Sequence, residues 1–394
     1  MAKRVGFTSV EQDEEGLLKI KEARMKKVRI IGVILCVIAL VMAGVLIWSE
    51  LRTYHSYEVV KSVEAASNAS KKYELFLNKT IEYSNDGILY RDREWNRLWN
   101  QSFEMESPQV DICEGYLTIY DKGGSEIYIM DKEGLVQKLN MSKPIYSVRV
   151  ASQGTVAVLM KENKTAYVRL YDTDGKELTN GEFYEKQGSY PVGIDISNDG
   201  KKLALNSIEV HEGEMSTVIH FYNFGSVGQN EVNYEVSNFS FEEKLFPDIS
   251  FVNNDKLLAI GDSSFAVFEG TQKPELIGEY EYGQEVQSLC HNDKYICIMY
   301  SNNDDDNTFH LRVFDLKGKK VMDQDTGMAY SAVEFLENNE ICVRNKLECQ
   351  IFTIRGIKKF QYTFDKELYK VLSGTDKQSY SFAIEKTIEE VRLK

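Results

Sequence analysis

LYDTDGKEL, residues 170–178, and VFDLKGKKV, residues 313–321, share one design in which two short apolar runs flank an Asp and a Gly. Asp favours the start of a tight turn. Gly adopts the left-handed conformation through which a short turn joins two twisted strands. The same pattern returns as LYRDREWNRL (89–98), IMDKEGLVQKL (129–139) and FTIRGIKKF (352–360). The chain therefore repeats a small β-hairpin.

A second kind of hairpin alternates with the first and has its turn at Asn, Asp or Gly. Its eight copies are ELFLNKTIEYS (74–84), DICEGYLTIYD (111–121), RVASQGTVAVLM (149–160), IDISNDGKKLALN (194–206), ISFVNNDKLLAI (249–260), SLCHNDKYICIM (288–299), EFLENNEICV (334–343) and LSGTDKQSYSFAI (372–384). Successive turns are 37, 39, 46, 54, 38, 46 and 38 residues apart. A period near 40 that contains only strands is typical of β-propeller blades with four strands each.

The two ends of the repeat region predict how the ring closes. The last unit supplies three strands before Lys394, one fewer than a complete blade. HSYEVVKSV (55–63) is a strand candidate that has no blade of its own. If it completes the last blade, the sheet has no free edge at the closure, and edges are the liability of open sheets. We therefore predict an all-β, closed propeller of eight blades. Seven blades remain the alternative, because the first unit is compact and irregular.

One long apolar segment precedes the repeats. Ile30 to Trp48 is uncharged over 19 residues, about the length of a helix that crosses a hydrocarbon core of roughly 30 Å. Six basic residues and one acid lie between residues 19 and 29, so the positive-inside rule leaves the N-terminus in the cytoplasm. A cleaved signal peptide is the alternative, but its apolar region is shorter and ends in small residues. We predict a cytoplasmic tail (1–29), a transmembrane helix (30–48) and an extracellular propeller (49–394).

Charge differs between the two sides of this segment. Residues 1–49 carry a net charge of +3, so the formal net charge of −14 leaves −17 on the remainder. Nucleic acids and anionic lipid surfaces both attract basic faces. We therefore expect no nucleic-acid partner and no docking of the propeller on anionic lipid.

Three segments resemble a known family. WNQSFEMESPQVDIC (99–113), DKGGSEIYI (121–129) and FYNFGSVGQNE (221–231) are similar to segments of uncharacterised, single-pass, membrane-anchored proteins of Gram-positive anaerobic bacteria, with propeller-like repeats of the WD40 or quinoprotein kind. The resemblance covers nearly the whole chain. It implies a bacterial source and an extracytoplasmic propeller anchored in the cell membrane, and it implies no activity.

The longest step between turns marks a candidate binding site. The 54 residues between Gly200 and Asn254 contain an aromatic-rich insertion, 223–247. Functional residues often lie in long loops, which suggests a site for a peptide or a glycan. The alternative is that the aromatic side chains pack the insertion onto neighbouring blades. The candidate residues are Phe221, Tyr222, Phe224, Phe239, Phe241 and Phe246.

Evidence for metals and cofactors is weak. Asp304, Asp305 and Asp306 form a dense acidic loop, a candidate cation site, although most such runs are solvated. The five His residues are not at metal-ligand spacing, which gives no support for zinc. Quinone-dependent propeller enzymes repeat a Trp through their blades, whereas only Trp95 and Trp99 follow the apolar segment here. We expect no cofactor.

Cysteine usage leaves an alternative open. Turns at 293–294 and 345–346 would set Cys290 opposite Cys297 and Cys342 opposite Cys349, where cross-strand disulfides are conceivable. Free, buried thiols are the favoured interpretation.

No nucleophile elbow and no phosphate-binding glycine loop occur in the sequence. The sequence therefore predicts a non-catalytic binding or scaffold module for an envelope protein, a peptide or a glycan. The alternative is a cell-envelope enzyme that uses carboxylates in the propeller channel, because 61 acidic residues leave many possible pairs.

Overall fold

A computed structural model of the chain describes residues 14–65, 69–184, 189–211, 213–302 and 305–394. Side chains are described for these residues apart from 14–23, 43, 45–50, 211, 302 and 305–307. The chain divides into two compact units between Thr53 and Tyr54.

The first unit contains one helix, α1 (Glu14–Leu51), of 38 residues. Its described apolar side chains between residues 28 and 42 are exposed. Among the described residues, no helix combines the length and the hydropathy that a membrane span requires. The predicted span, 30–48, includes residues 43 and 45–48, whose side chains lie outside the described set.

The second unit consists of β-strands. The first nine are β1 (Tyr57–Glu64), β2 (Lys72–Phe76), β3 (Lys79–Ser84), β4 (Gly87–Arg91), β5 (Arg97–Ser102), β6 (Pro108–Cys113), β7 (Tyr116–Asp121), β8 (Glu126–Asp131) and β9 (Gly134–Asn140). The next eight are β10 (Ile145–Val150), β11 (Val156–Glu162), β12 (Thr165–Tyr171), β13 (Glu177–Tyr184), β14 (Ser189–Ile196), β15 (Lys202–His211), β16 (Glu214–Asn223) and β17 (Glu235–Glu242). Two short 3-10 turns, Gly228–Asn230 and Val232–Tyr234, separate the last two of these.

The remaining strands complete the ring. They are β18 (Asp248–Asn253), β19 (Lys256–Ile260), β20 (Ser264–Glu269), β21 (Glu275–Glu281), β22 (Ser288–His291), β23 (Tyr295–Asn302), β24 (Asp305–Asp315), β25 (Lys320–Asp325), β26 (Ala332–Phe335), β27 (Ile341–Arg344), β28 (Glu348–Phe352), β29 (Lys358–Thr363), β30 (Leu368–Ser373), β31 (Ser379–Ile384) and β32 (Thr387–Leu393).

These strands form eight antiparallel sheets of four strands within the described residues. Blade 1 is β2–β5, and each later blade takes the next four strands until blade 8, which has the order β1-β32-β31-β30. The predicted eight blades are confirmed. Each of the eight Asn-, Asp- or Gly-centred hairpins forms the first two strands of a blade, and the hairpin of 170–178 joins the third and fourth.

The repeated Asp and Gly shape their turns as the sequence predicts. Asp172 Oδ1 accepts the backbone N–H groups two and four residues later, at 3.0 and 2.9 Å. Asp315 Oδ1 accepts the equivalent pair, both at 2.9 Å. Gly175 and Gly318 follow with φ of 79° and 74°, in the left-handed region that a side chain rarely adopts. The Asp and the Gly thus shape the turn in these two copies of the hairpin. Some other copies replace one of the two residues.

The ring closes by pairing the two ends of the repeat region. Strand β1 pairs antiparallel with β32, from Tyr57 opposite Leu393 to Glu64 opposite Thr387. The backbone N–H of Lys394 also donates to the Ser56 carbonyl at 2.8 Å. The predicted closure by residues 55–63 is thus confirmed. We call this β1–β32 pairing the seam.

The hydrophobic core is divided among the blade interfaces. Eight clusters of buried side chains are present among the described residues, and each lies between two adjacent blades. Second and third strands are buried on both faces, as in β19, whereas first strands such as β22 are half-buried and fourth strands such as β13 alternate between exposed and half-buried residues. Burial is thus greatest in the middle of each sheet.

The cysteine pairs follow the predicted registers only in part. Cys290 lies directly opposite Cys297, as predicted. Cys342 lies opposite Ile351 rather than Cys349, so that predicted register is wrong. The turn falls one residue later than predicted, because the backbone of Asn345 pairs with that of Glu348. The Asn345 side-chain oxygen also accepts the backbone N–H groups of Leu347 and Glu348. All these cysteines are free thiols, with the Cys342 and Cys349 Sγ atoms 3.7 Å apart.

We predict that Tyr57→Ala will destabilise the ring by about 2 kcal/mol, less than the cost of truncating a fully buried aromatic residue, because Tyr57 is half-buried. The Tyr57 ring contacts those of Tyr362 and Phe382 at centroid distances of 5.0 and 5.3 Å, so it attaches the seam to the core. Val60→Ala is the matched control, because Val60 lies on the same strand with 66% of its surface exposed. Urea unfolding followed by fluorescence measures both variants. Equal effects would contradict a stabilising role for the seam contact.

Candidate functional site

The predicted aromatic insertion is divided among several elements. Phe221 and Tyr222 lie on β16, and Phe239 and Phe241 lie on β17. Phe246 lies in the connection to blade 5, so only Phe224 belongs to the long loop between β16 and β17. The six aromatic residues divide between two faces of blade 4, one that packs on blade 5 and one that points towards blade 3.

Four of the six aromatic residues pack towards blade 5. Phe221, Phe241 and Phe246 are buried, and Phe239 is half-buried against the same cluster. Phe221 and Phe239 contact the ring of Phe268 in blade 5, at centroid distances of 5.2 and 5.1 Å. These contacts match the packing interpretation of the insertion. A binding role for these four side chains stays a prediction.

The other two aromatic residues line a groove between blades 3 and 4. Tyr222 and Phe224 face blade 3, where Tyr222 contacts Phe183 at a centroid distance of 6.3 Å. Phe224 contacts Tyr234, at the end of the long loop, with a centroid distance of 5.8 Å. The groove encloses about 580 Å³. We call this space, between β13 and the start of β17, the blade 3–4 groove.

Apolar side chains form the floor of the groove, and charged side chains lie on its rim. The floor includes Val168, Leu170 and Leu203, which are buried. On the rim, His220 Nδ1 lies 3.0 Å from a Glu235 carboxylate oxygen. Such a combination, apolar with a few oriented polar groups, is typical of small binding pockets.

A second carboxylate, Glu182, lies on β13 and is held by two neighbours. Tyr184 donates its hydroxyl to Glu182 at 2.7 Å, and Arg169 Nη2 lies 3.4 Å away. The hydrogen bond from Tyr184, with a smaller effect of Arg169, lowers the pKa of the Glu182 carboxyl, which is therefore ionised at neutral pH. Glu182 pairs with Tyr167, whereas Gly181 pairs with the floor residue Val168, so the Glu182 side chain lies on the face of β13 opposite the groove.

The blade 3 side of the groove was not predicted from the sequence. Phe183 and Glu182 belong to TNGEFY (179–184), an ordinary fourth strand. Their pattern does not indicate which residues of the next blade they face. The long interval of 54 residues between the turns at Gly200 and Asn254 was the feature that marked this region, and it indicated blade 4 alone.

A separate set of charges lines the central channel. First strands of adjacent blades contact each other, so they form the inner wall of the ring. Arg149 of blade 3 lies 3.5 Å from Asp111 of blade 2 and 3.3 Å from Asp195 of blade 4. Lys370 of blade 8 lies 2.6 Å from Glu334 of blade 7 and 3.6 Å from Glu74 of blade 1. Each of these two cations is thus held between carboxylates of both flanking blades.

The sequence held a signal for these channel charges. VDIC, VRVA and IDIS place Asp111, Arg149 and Asp195 at one position of three successive first strands. The two carboxylates also accept backbone N–H groups of the next blade, from Val150 at 2.7 Å and from Phe251 at 2.5 Å. Burial raises the pKa of Asp195 to about 7, against the opposing effect of Arg149. Its carboxyl can therefore exchange a proton near neutral pH.

The predicted cation site cannot be located in the structure. Asp304 lies outside the described residues, and so do the side chains of Asp305 and Asp306, whose backbones begin β24. Over the described part of the chain, no group of three or more His, Cys, Asp or Glu side chains suits a metal ion. The cation site at 304–306 stays a prediction.

Fold and groove together define the class of the protein: an eight-bladed β-propeller whose ring is closed by its own N-terminal strand. The chain belongs to the family of unknown function DUF5711, whose profile matches residues 50–393. No curated protein matches its sequence significantly.

A solved structure supports the fold. BamB from Moraxella catarrhalis has a TM-score of 0.52 and 11% identity, over 86% of this chain and 100% of that chain. The Pan2 WD40 domain from Neurospora crassa has a TM-score of 0.44 and 8% identity, over 73% of this chain and 88% of that chain. At these identities the likeness concerns the fold alone.

We predict that Asp195→Asn will change how stability depends on pH. In the folded state Asp195 keeps its proton up to about pH 7, whereas its ordinary pKa is 3.8. Its stabilising contribution is therefore complete below about pH 4 and is lost as the pH rises to about 7. Relative to the wild type, Asp195→Asn should gain stability over this range, as measured by urea unfolding at several pH values. A difference that stays constant over this range would contradict the assignment.

Proposed function

We propose that this protein is a non-catalytic binding or scaffold module of the cell envelope, which binds an envelope protein, a peptide or a glycan through the blade 3–4 groove. The observation that supports this proposal is the groove itself, with its apolar floor, its aromatic side chains and the His220–Glu235 pair on its rim. Apolar area supplies affinity when it is removed from water, and the polar rim groups supply orientation and selectivity.

The proposed location at the membrane is supported by sequence. A 19-residue uncharged stretch lies within α1, and a cluster of basic residues precedes it. We propose that this stretch anchors the protein as a single-pass membrane protein, with residues 1–29 in the cytoplasm and the propeller outside the cell.

The alternative function is an envelope enzyme that uses channel carboxylates. One observation favours it, the pKa of about 7 at Asp195 beside Asp111 and Arg149, since perturbed groups cluster at catalytic sites. Against it, Asp111, Asp195, Glu74 and Glu334 all lie in ion pairs that join neighbouring blades. Structural networks of this kind also shift pKa values, so we favour binding at the groove.

In-cell photo-crosslinking tests the binding site. A photoreactive amino acid at Asn233, an exposed groove residue, should crosslink the full-length protein to a reproducible partner identified by mass spectrometry. The control is the same amino acid at Lys317, an exposed turn residue of blade 6. Crosslinks that are identical at both positions would contradict a partner-binding groove, and the proposal would then require a glycan ligand.

The proposed topology has its own test. An epitope placed after Lys394 should be lost when protease is added to intact cells, and an epitope placed before residue 14 should survive until the cells are lysed. This follows because the basic flank holds the N-terminal tail in the cytoplasm. Protection of both epitopes would contradict an extracellular propeller.

A further inference from the structure

The wall of the blade 3–4 groove exposes the edge of a strand. Five consecutive residues of β13, from Thr179 to Phe183, line the groove. Successive side chains of a strand point to opposite faces, so side chains from one face cannot account for all five. The groove must therefore reach the backbone edge of β13. That strand is the last in the order β10-β11-β12-β13, and no described strand pairs with its outer edge.

Gly181 opens this edge at the middle of the groove wall. It shares its face of β13 with Thr179 and Phe183, and all three are half-buried. A Cβ atom at this position would lie 3.3 Å from the ring of Phe183. Without a side chain here, another chain can approach the backbone closely.

Charge on the other face of β13 indicates what could pair with its edge. Arg169 is shared by Glu177, at 3.7 Å, and Glu182, at 3.4 Å. These two carboxylates keep 41% and 42% of their side-chain surfaces exposed, whereas Arg169 keeps 17%. Two exposed acids around one mostly covered base leave this face negative, and Glu235 lies on the far side of the groove. A peptide along the edge alternates its side chains between the groove and this face, so a segment with a basic side chain suits it.

We infer that the ligand of the groove is an extended peptide segment that adds to β13 as a fifth strand of blade 3. This inference rests on the proposed function and specifies its ligand. Backbone hydrogen bonds to the free edge supply affinity, as in other cases of strand addition. An apolar side chain of the peptide enters the groove over Val168 and Leu170, and a neighbouring Lys or Arg lies against Glu182.

A phage-displayed library of random ten-residue peptides, selected on the purified full-length protein, tests this inference. We expect enrichment of peptides that alternate apolar and polar residues and carry at least one basic residue. Synthetic versions are then measured by fluorescence anisotropy. Methylating backbone nitrogens of the best peptide should weaken binding at least about tenfold, because methylation removes the donors that pair with the edge.

Two variants locate the binding site. Gly181→Val fills the middle of the groove and should weaken binding at least about tenfold, through lost access to both the edge and the cavity. Gly278→Val is the matched control, because Gly278 lies opposite Val267 in blade 5 as Gly181 lies opposite Val168 in blade 3. It lies outside the groove lining and should leave affinity unchanged. Thermal unfolding of both variants reports whether they fold. Glu182→Gln, a milder change, should weaken binding of a basic peptide about three- to tenfold.

Other outcomes overturn the inference and can be distinguished from one another. Failure to enrich any peptide, or peptides that bind Gly181→Val and the wild type equally, overturns strand addition. If soluble cell-wall oligosaccharides bind instead, and Gly181→Val abolishes that binding, the groove remains the site and the ligand is a glycan. If neither class binds in a way that depends on Gly181, the proposed function of the groove fails as well.

Discussion

The pairing of β1 with β32 is the constraint on which the rest of the structure depends. Each blade interface buries one apolar cluster, so an open ring would expose the cluster between blades 8 and 1 together with two sheet edges. Lys359 of blade 7 pairs with Glu340 of the same blade, at 2.5 Å, and donates to the Tyr380 hydroxyl of blade 8, at 2.8 Å. All three side chains are buried, so a polar contact away from water joins these two blades.

A closed ring leaves the outer strands free to vary. Inner strands are fixed by packing on both faces, whereas outer strands such as β13 meet water on one side and the neighbouring blade on the other. The long connection after Asn223 therefore adds Phe224 and Tyr234 to blade 4 without disturbing the inner strands. The groove accordingly lies among the outer strands of the ring. Charges held in ion pairs between blades, such as Arg149, lie in the channel.

Features that depend on a few neighbouring residues were predictable from the sequence, whereas features that depend on contacts between distant residues were predicted less well. The hairpin turns were predictable because Asp172 and Gly175 act within one turn, and the seam was predictable because counting strands leaves one missing. The register of Cys342 was missed because a one-residue change of turn is not visible in an apolar pattern. Only the blade 4 side of the groove, with Tyr222 and Phe224, was predicted. The sequence pattern of one blade does not show which residues of the next blade face it.

The two channel cations also bear on how the ring assembles. Chain connectivity already sets the order of the blades, so these charges act on how adjacent blades are aligned. Arg149 between Asp111 and Asp195 joins blade 3 to both of its neighbours, and Lys370 does the same for blade 8. Sliding either first strand along its neighbours would separate the cation from its carboxylates and leave these charges without partners. The channel charges thus favour a single alignment between adjacent blades, which non-directional apolar packing specifies less sharply.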